Sequence, residues 1–137
     1  MADLSITAAN VLPVSEVPLE IGTAGAAIAA GEQVYLSSAT NKWLLADSNS
    51  ATAEARKGSA TALCSAAADQ PIVVGKGGKV NFGAVLTVGA TYYLSATPGK
   101  ICPAADLATG MYPQVVGMAE TTSVMKLSYA TPGVALP

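Results

Sequence analysis

The chain has 137 residues, enough for one domain or for two small fused repeats. Apolar residues make up 51% and charged residues only 12%, with seven Lys or Arg against nine Asp or Glu. A net charge of −2 with no basic stripe excludes ordinary nucleic-acid binding, which works by counterion release. No apolar run reaches the roughly 18 residues that a membrane helix needs.

With so few charges, much of the surface must be Ala, Ser, Thr and Gly. Such a surface is expected to be covered in part by partners. The start, Met1-Ala-Asp-Leu-Ser, has no basic segment followed by an apolar core, so no secretory signal is expected. Cys64 and Cys102 are therefore expected to be free, buried thiols, not a disulfide.

Taken in order, residues 1–20 carry Pro13 and Pro18, which disfavour helix. Apolar positions nearly alternate from Leu12 to Val17. The segment reads as an extended arm that adds an edge strand or lies on a neighbour. Gln33–Ser37 is expected to be a strand, Ser38–Lys42 a turn and Trp43–Ala46 the return strand of a hairpin, closed by Asp47. Residues 48–57 are the one candidate helix, a turn or two ended by Gly58. Ser59–Ala66 and Gln70–Val74 read as strands. Gly75-Lys-Gly-Gly-Lys79 reads as a tight hairpin turn into Val80–Phe82. Thr91–Ser95, a turn at Thr97–Gly99, and a strand from Lys100 follow. Tyr112–Ala119 and Ser123–Tyr129 are the closing strands, and residues 130–137 form an extended tail.

One stretch occurs twice. Gly25-Ala-Ala-Ile-Ala-Ala-Gly-Glu-Gln-Val-Tyr-Leu-Ser37 and Gly83-Ala-Val-Leu-Thr-Val-Gly-Ala-Thr-Tyr-Tyr-Leu-Ser95 agree at six of thirteen positions, 58 residues apart. The similarity extends over 25–47 and 83–106. Gly31 and Gly89 occupy matching turn positions that admit positive φ. The fold class this implies is all-β: a small barrel or sandwich of two similar hairpin-containing halves sharing one core, residues 21–129, flanked by the arm and the tail.

No catalytic constellation stands out. There is no histidine, which removes Ser-His-Asp and Cys-His systems and the usual zinc sites. The Gly75–Lys79 loop lacks the spacing of a phosphate-binding loop. Asp47 and Asp106 fall at matching places and read as turn caps, not as a metal pair. Trp43, Tyr92 and Tyr93 could suggest a sugar platform, but adjacent strand residues point to opposite faces. Met111, Met118 and Met125 recur every seven residues and are taken as core-filling strand residues. The expectation is a protein that is not an enzyme and uses no cofactor or metal.

The segments Asp3-Leu-Ser-Ile-Thr-Ala-Ala-Asn-Val11, Gly22–Tyr35, Leu45–Arg56 and Val88–Ile101 resemble small virion proteins of tailed bacteriophages, nearest to the head decoration, or capsid cement, proteins. The resemblance spans about residue 3 to residue 128. It implies a structural protein on the outer capsid surface, made in the host cytoplasm, that bridges neighbouring major capsid proteins, often as a homotrimer. Related patterns occur in tail-fibre and spike modules, which implies receptor or glycan binding as the alternative. Neither nucleic acid nor membrane is an expected partner. The apolar termini suit arms that reach a neighbour, so Leu4, Ile6, Val11, Leu12, Val14, Val134 and Leu136 are the candidate partner interface. Removal of residues 1–16 should then leave the domain folded.

Overall fold

Proline, glycine and short polar runs cut this chain into strands of three to seven residues, each rich in Val, Ile, Leu, Tyr or Thr. A computed structural model describes residues 3–131 and 134–137. Among these residues there are eleven strands, three short 3-10 turns and no α-helix. The first half holds β1 (Leu12–Ser15), β2 (Leu19–Thr23), β3 (Gln33–Leu36), β4 (Trp43–Leu45), β5 (Ala60–Ala62) and β6 (Pro71–Gly75). The second holds β7 (Gly78–Asn81), β8 (Thr91–Leu94), β9 (Ile101–Pro103), β10 (Val115–Ala119) and β11 (Val124–Ala130). The protein is all-β, as its sequence implies, and every pairing between strands is antiparallel.

The strands form two sheets whose orders are the same pattern used twice. The smaller sheet runs β2-β6-β5-β3-β4, and the larger runs β7-β11-β10-β8-β9 with β1 added outside β7. β2 pairs with β6, the last strand of the first half, and β7 with β11, the last of the second, each on the side of its sheet opposite the hairpin. The sequence repeat lies on matching parts of the two sheets. Ser37 N–H donates to the Lys42 carbonyl at 2.9 Å, and Ser95 N–H donates to the Lys100 carbonyl at 3.0 Å. Gly31 and Gly89 both adopt positive φ, +92° and +81°. Each donates its N–H to the matching strand of its own half, at Ala62 (2.8 Å) and Ala119 (2.9 Å).

The Gly75–Lys79 segment corrects the expected hairpin. β6 belongs to the smaller sheet and β7 to the larger, so the chain passes from one sheet to the other here. It does not travel alone. β1 pairs with β7 and β2 with β6, so residues 12–23 accompany residues 71–81 across the junction. Lys76 N–H donates to the Pro18 carbonyl in the middle of the crossing, at 3.0 Å. Glu16 (φ +54°) and Gly78 (φ +74°) take left-handed backbone there, which turns both strands at one point. A sequence reading sees a glycine-rich turn. Only the long-range pairing shows a bent two-stranded ribbon.

Burial divides into two clusters: a larger one shared by both halves, as expected, and a second, smaller one. The larger collects Val80, Phe82, Leu86, Tyr92, Leu94, Ile101, Val116, Ala119, Met125 and Leu127 from the second half, with Val11, Ala30, Tyr35, Ala46 and Ala55 from the first. The smaller is confined to the first half: Ala24, Ile28, Val34, Trp43, Ala60, Ala62, Ile72 and Val74. Neighbours Val34 and Tyr35 therefore serve different clusters, as alternation along a strand requires. All three residues of β5 are buried. Met111 and Met125 lie in the interior, but Met118 is 52% exposed, so the seven-residue methionine spacing does not mark one face.

Two buried polar groups tie the halves together. Gln114 accepts from Gly58 N–H at 2.8 Å and donates to the Gly58 carbonyl at 2.6 Å. It thereby replaces a strand neighbour for a peptide unit in the other half. Replacement of Gln114 by alanine leaves both backbone groups of Gly58 unpaired in the interior. The expected loss is about 2–4 kcal/mol, read from chemical denaturation. A change below about 0.5 kcal/mol would mean that water serves Gly58 equally well. The second tie joins Thr61, Gln33 and the Tyr129 hydroxyl, with Tyr129 donating to Gln33 at 2.6 Å and lying 2.8 Å from Thr61. Burial pushes the Tyr129 phenol well above its ordinary pKa, so it stays protonated and able to donate.

Of the two readings of residues 1–20, an added edge strand or an arm on a neighbour, the structure takes the first: β1 and β2 are outer strands of the two sheets, and the residues before them pack onto the same chain. Val11 is 3% exposed and belongs to the larger cluster, against which Leu4, Ile6 and Ala8 also pack. Leu4 N–H donates to the Ile101 carbonyl at 2.9 Å, and the Asp3 carboxylate accepts from the Ser95 hydroxyl at 2.5 Å. The candidate helix in residues 48–57 is a single 3-10 turn, Ala53–Arg56. Of the tail, Pro132 and Gly133 lie outside the described residues. Leu136 bonds back to Gly110 and Met111 through its carbonyl and N–H, at 3.0 and 2.8 Å.

Candidate interaction surface

Side chains with reactive chemistry are dispersed and used structurally. Asp47 accepts from Asn49 N–H at 3.1 Å, the turn-capping role its position suggests. Asp106 lies in a 3-10 turn, Ala104–Asp106, directly after β9. No three His, Cys, Asp or Glu side chains converge as metal ligands among the described residues. Both cysteines are free. Cys64 is half-buried, and its sulfur accepts from Val73 N–H at 3.3 Å. Cys102 is buried, which pushes its thiol up to about 11, with Asp106 and Asp3 adding to the rise. At neutral pH it is a neutral packing group, not a nucleophile.

The aromatic residues are also largely committed. Trp43 is 1% exposed inside the smaller cluster. Tyr92 is buried, with its hydroxyl accepting from Thr87 N–H at 2.8 Å, while its neighbour Tyr93 faces the other way and is half-buried. Phe82 and Tyr35 are core residues. The sole arginine, Arg56, stacks on Tyr112 with 3.7 Å from its guanidinium carbon to the ring centroid. Beside this pair lies a cleft of about 110 Å³ lined by Ala53, Arg56, Lys57, Tyr112 and Thr131. A sugar-stacking surface needs exposed ring faces, and Trp43, Phe82, Tyr35 and Tyr92 do not offer them.

What the fold does expose is aliphatic. β1 is exposed along its whole length, and Leu12 and Val14 are 60% and 52% exposed. On β2, Leu19 is 60% and Ile21 77% exposed. Both strands are outer strands, β1 of the larger sheet and β2 of the smaller, so the four side chains follow the outer edge of the bent ribbon. Exposed aliphatic groups in such a row mark contact surfaces more often than chance exposure does.

The seven candidate interface residues thus separate. Leu12, Val14 and Val134 are exposed. Leu4, Ile6 and Leu136 are half-buried, and Val11 is interior. Val11 is therefore removed from the interface: its partner is the protein's own core. Leu19 and Ile21 escaped the sequence reading. The signal was present in the alternation Leu19-Glu-Ile-Gly, but alternation tells that one face differs, not that the apolar face is left outside.

Compared with protein-family models and with curated protein sequences, the chain finds no match.

Proposed function

We propose that the protein is a structural component of a tailed-phage virion that binds the outer surface of the capsid and bridges neighbouring major capsid proteins. The resemblance noted above motivates this reading. The observation that carries it in the structure is β1, an outer strand exposed along its length that presents Leu12 and Val14 beside a proline. Pro13 removes one donor from that edge, so β1 meets a partner through its side chains more than through a strand ladder. Apolar contact of this kind is weak per copy and gains strength when several copies act together on a repeating shell. Fibre or spike binding to glycans would rest on exposed aromatic faces, and most of the rings here are interior.

The test is direct. Purified protein is mixed with expanded, undecorated heads and sedimented. Co-sedimentation and a raised melting temperature of the heads are expected, and the double variant Leu12→Asp, Val14→Asp should lose both while keeping its own melting temperature. Failure of the parent protein to sediment with heads would reject the reading.

A further inference from the structure

We propose that the cleft beside Tyr112 is a binding site for one carboxylate group on an aliphatic stem, the chemistry that an acidic side chain of another protein and a small free organic acid share. The first argument is the charge balance of the chain. Its seven cations include one adjoining pair, Arg56 and Lys57. Four of the others are matched: Lys42 by Asp69, Lys76 by Glu20, Lys79 by Glu120 and Lys100 by Glu32. Among the described residues no acidic group pairs with Arg56 or Lys57. The nearest acid in sequence, Glu54, is engaged by Ser38 N–H at 3.1 Å. Arg56 and Lys57 line the same cleft, together with Ala53, Tyr112 and Thr131.

The second argument is the set of donors. The Arg56 guanidinium lies over the Tyr112 ring, 3.7 Å from its centroid, so its face is occupied and its N–H edge is left for a partner in the same plane. Thr131 Oγ1 accepts from Gln114 Nε2 at 2.9 Å, so the hydroxyl keeps its own hydrogen to donate. Lys57 is exposed and adds an ammonium group. No acidic residue lines the cleft. The supports are firm. Arg56 ends a 3-10 turn anchored by the buried Ala55, and Tyr112 lies between the buried Met111 and Pro113, with its N–H on the Ser48 carbonyl at 2.8 Å. A site held in place before binding loses little side-chain freedom when it fills.

The ligand class follows from this geometry. A carboxylate is planar and meets a guanidinium edge through two parallel hydrogen bonds. The Tyr112 ring and Ala53 supply apolar lining for its stem. A phosphate takes donors from several directions, and phosphate sites draw them largely from backbone N–H groups. Here the N–H groups of Lys57 and Tyr112 are already spent on the Glu54 and Ser48 carbonyls. A nucleic-acid strand needs a row of cations, and this cleft has two. The site uses no residue of β1 and does not depend on the capsid reading.

Nuclear magnetic resonance on the full chain reads the site through the Arg56 Nε–Hε signal and the Tyr112 ring signals. Titration with N-acetyl-glutamate methylamide should saturate both, with a dissociation constant on the order of millimolar for a single group. N-acetyl-glutamine methylamide keeps the stem without the charge and should leave both signals in place. Arg56→Lys keeps the charge but not the fork. Followed through the Tyr112 ring, it should bind about tenfold more weakly, the share of one charge-assisted hydrogen bond. Lys126→Met should bind as the parent does. Propionate separates the two sources: weaker binding than the blocked glutamate assigns the site to a protein side chain, and equal or tighter binding to a free acid. The absence of saturation up to about 100 mM would overturn the proposal. So would equal shifts with the glutamine compound, an unchanged affinity in Arg56→Lys, equal weakening in Lys126→Met, or tighter binding of inorganic phosphate than of the blocked glutamate.

Discussion

Replacement of Gly78 by alanine is expected to destabilise the protein by about 3–5 kcal/mol and to lower its melting temperature by about 10 °C. Two effects add. Gly78 has φ +74°, where an L side chain costs about 1–2 kcal/mol. A Cβ there would also lie 2.2 Å from the Glu16 carbonyl oxygen and 2.8 Å from that of Ser15. Those neighbours are backbone, so no rotamer change relieves the contact. Either the ribbon separates at the sheet junction or one strand shifts. Gly89 is the control: its φ is +81°, but nothing lies within 4 Å of its missing Cβ. Gly89→Ala should cost only the conformational share, about 1 kcal/mol. Equal losses for the two variants, measured by thermal or urea unfolding, would show that the close approach at Gly78 carries no weight.

A chain lacking residues 1–16 is expected not to fold cooperatively at all. This reverses the expectation that the domain folds without these residues, and Val11 is the main reason. Its removal opens the larger cluster, and the loss of Leu4, Ile6 and Ala8 uncovers more of the same surface. A buried aliphatic side chain contributes about 1.5–3 kcal/mol, so these groups together rival the whole stability of a typical domain, about 5–15 kcal/mol. The outer edge of β7 and the Ile101 carbonyl also lose their partners. Circular dichroism melting checks the outcome. A sharp transition within a few degrees of the intact chain would show that residues 3–16 are dispensable to the core.

The repeat was legible because its conserved spacing consists of local chemistry. Turn glycines, a Tyr-Leu-Ser strand end and a hairpin turn act over a few residues, and both copies fold alike. The repeat did not carry burial with it: Tyr35 is buried, but its counterpart 58 residues on, Tyr93, is half-buried, and the neighbouring Tyr92 is the buried one. The sheet junction was not legible. Gly75–Lys79 has the composition of a hairpin turn, and what makes it a crossing is the company of residues 12–23, which sit far away in the sequence. Val11 shows the same limit from another side. An isolated valine among polar neighbours carries no period, so its burial depends on which surface the segment happens to cover. Of the candidate interface residues, Leu12 and Val14 are outside and Val11 is inside, while the exposed Leu19 and Ile21 on the adjoining strand were not among them.

The pairing of β2 with β6 and of β7 with β11 has a consequence for how the molecule comes into being. β2 meets β6, and β7 meets β11, only after the intervening hairpin and loops are in place. Neither sheet can be finished by zipping up neighbours, and each must close a long loop before its edge is rewarded. On an emerging chain the smaller sheet can be completed once Gly75 is available, whereas the larger waits for β11 near the far end. β1, the first strand made, pairs only with β7 and so stands unpaired until the smaller sheet is already complete. The ribbon that binds the two sheets thus also sets an order of assembly, first half before second, with its own outer strand added late.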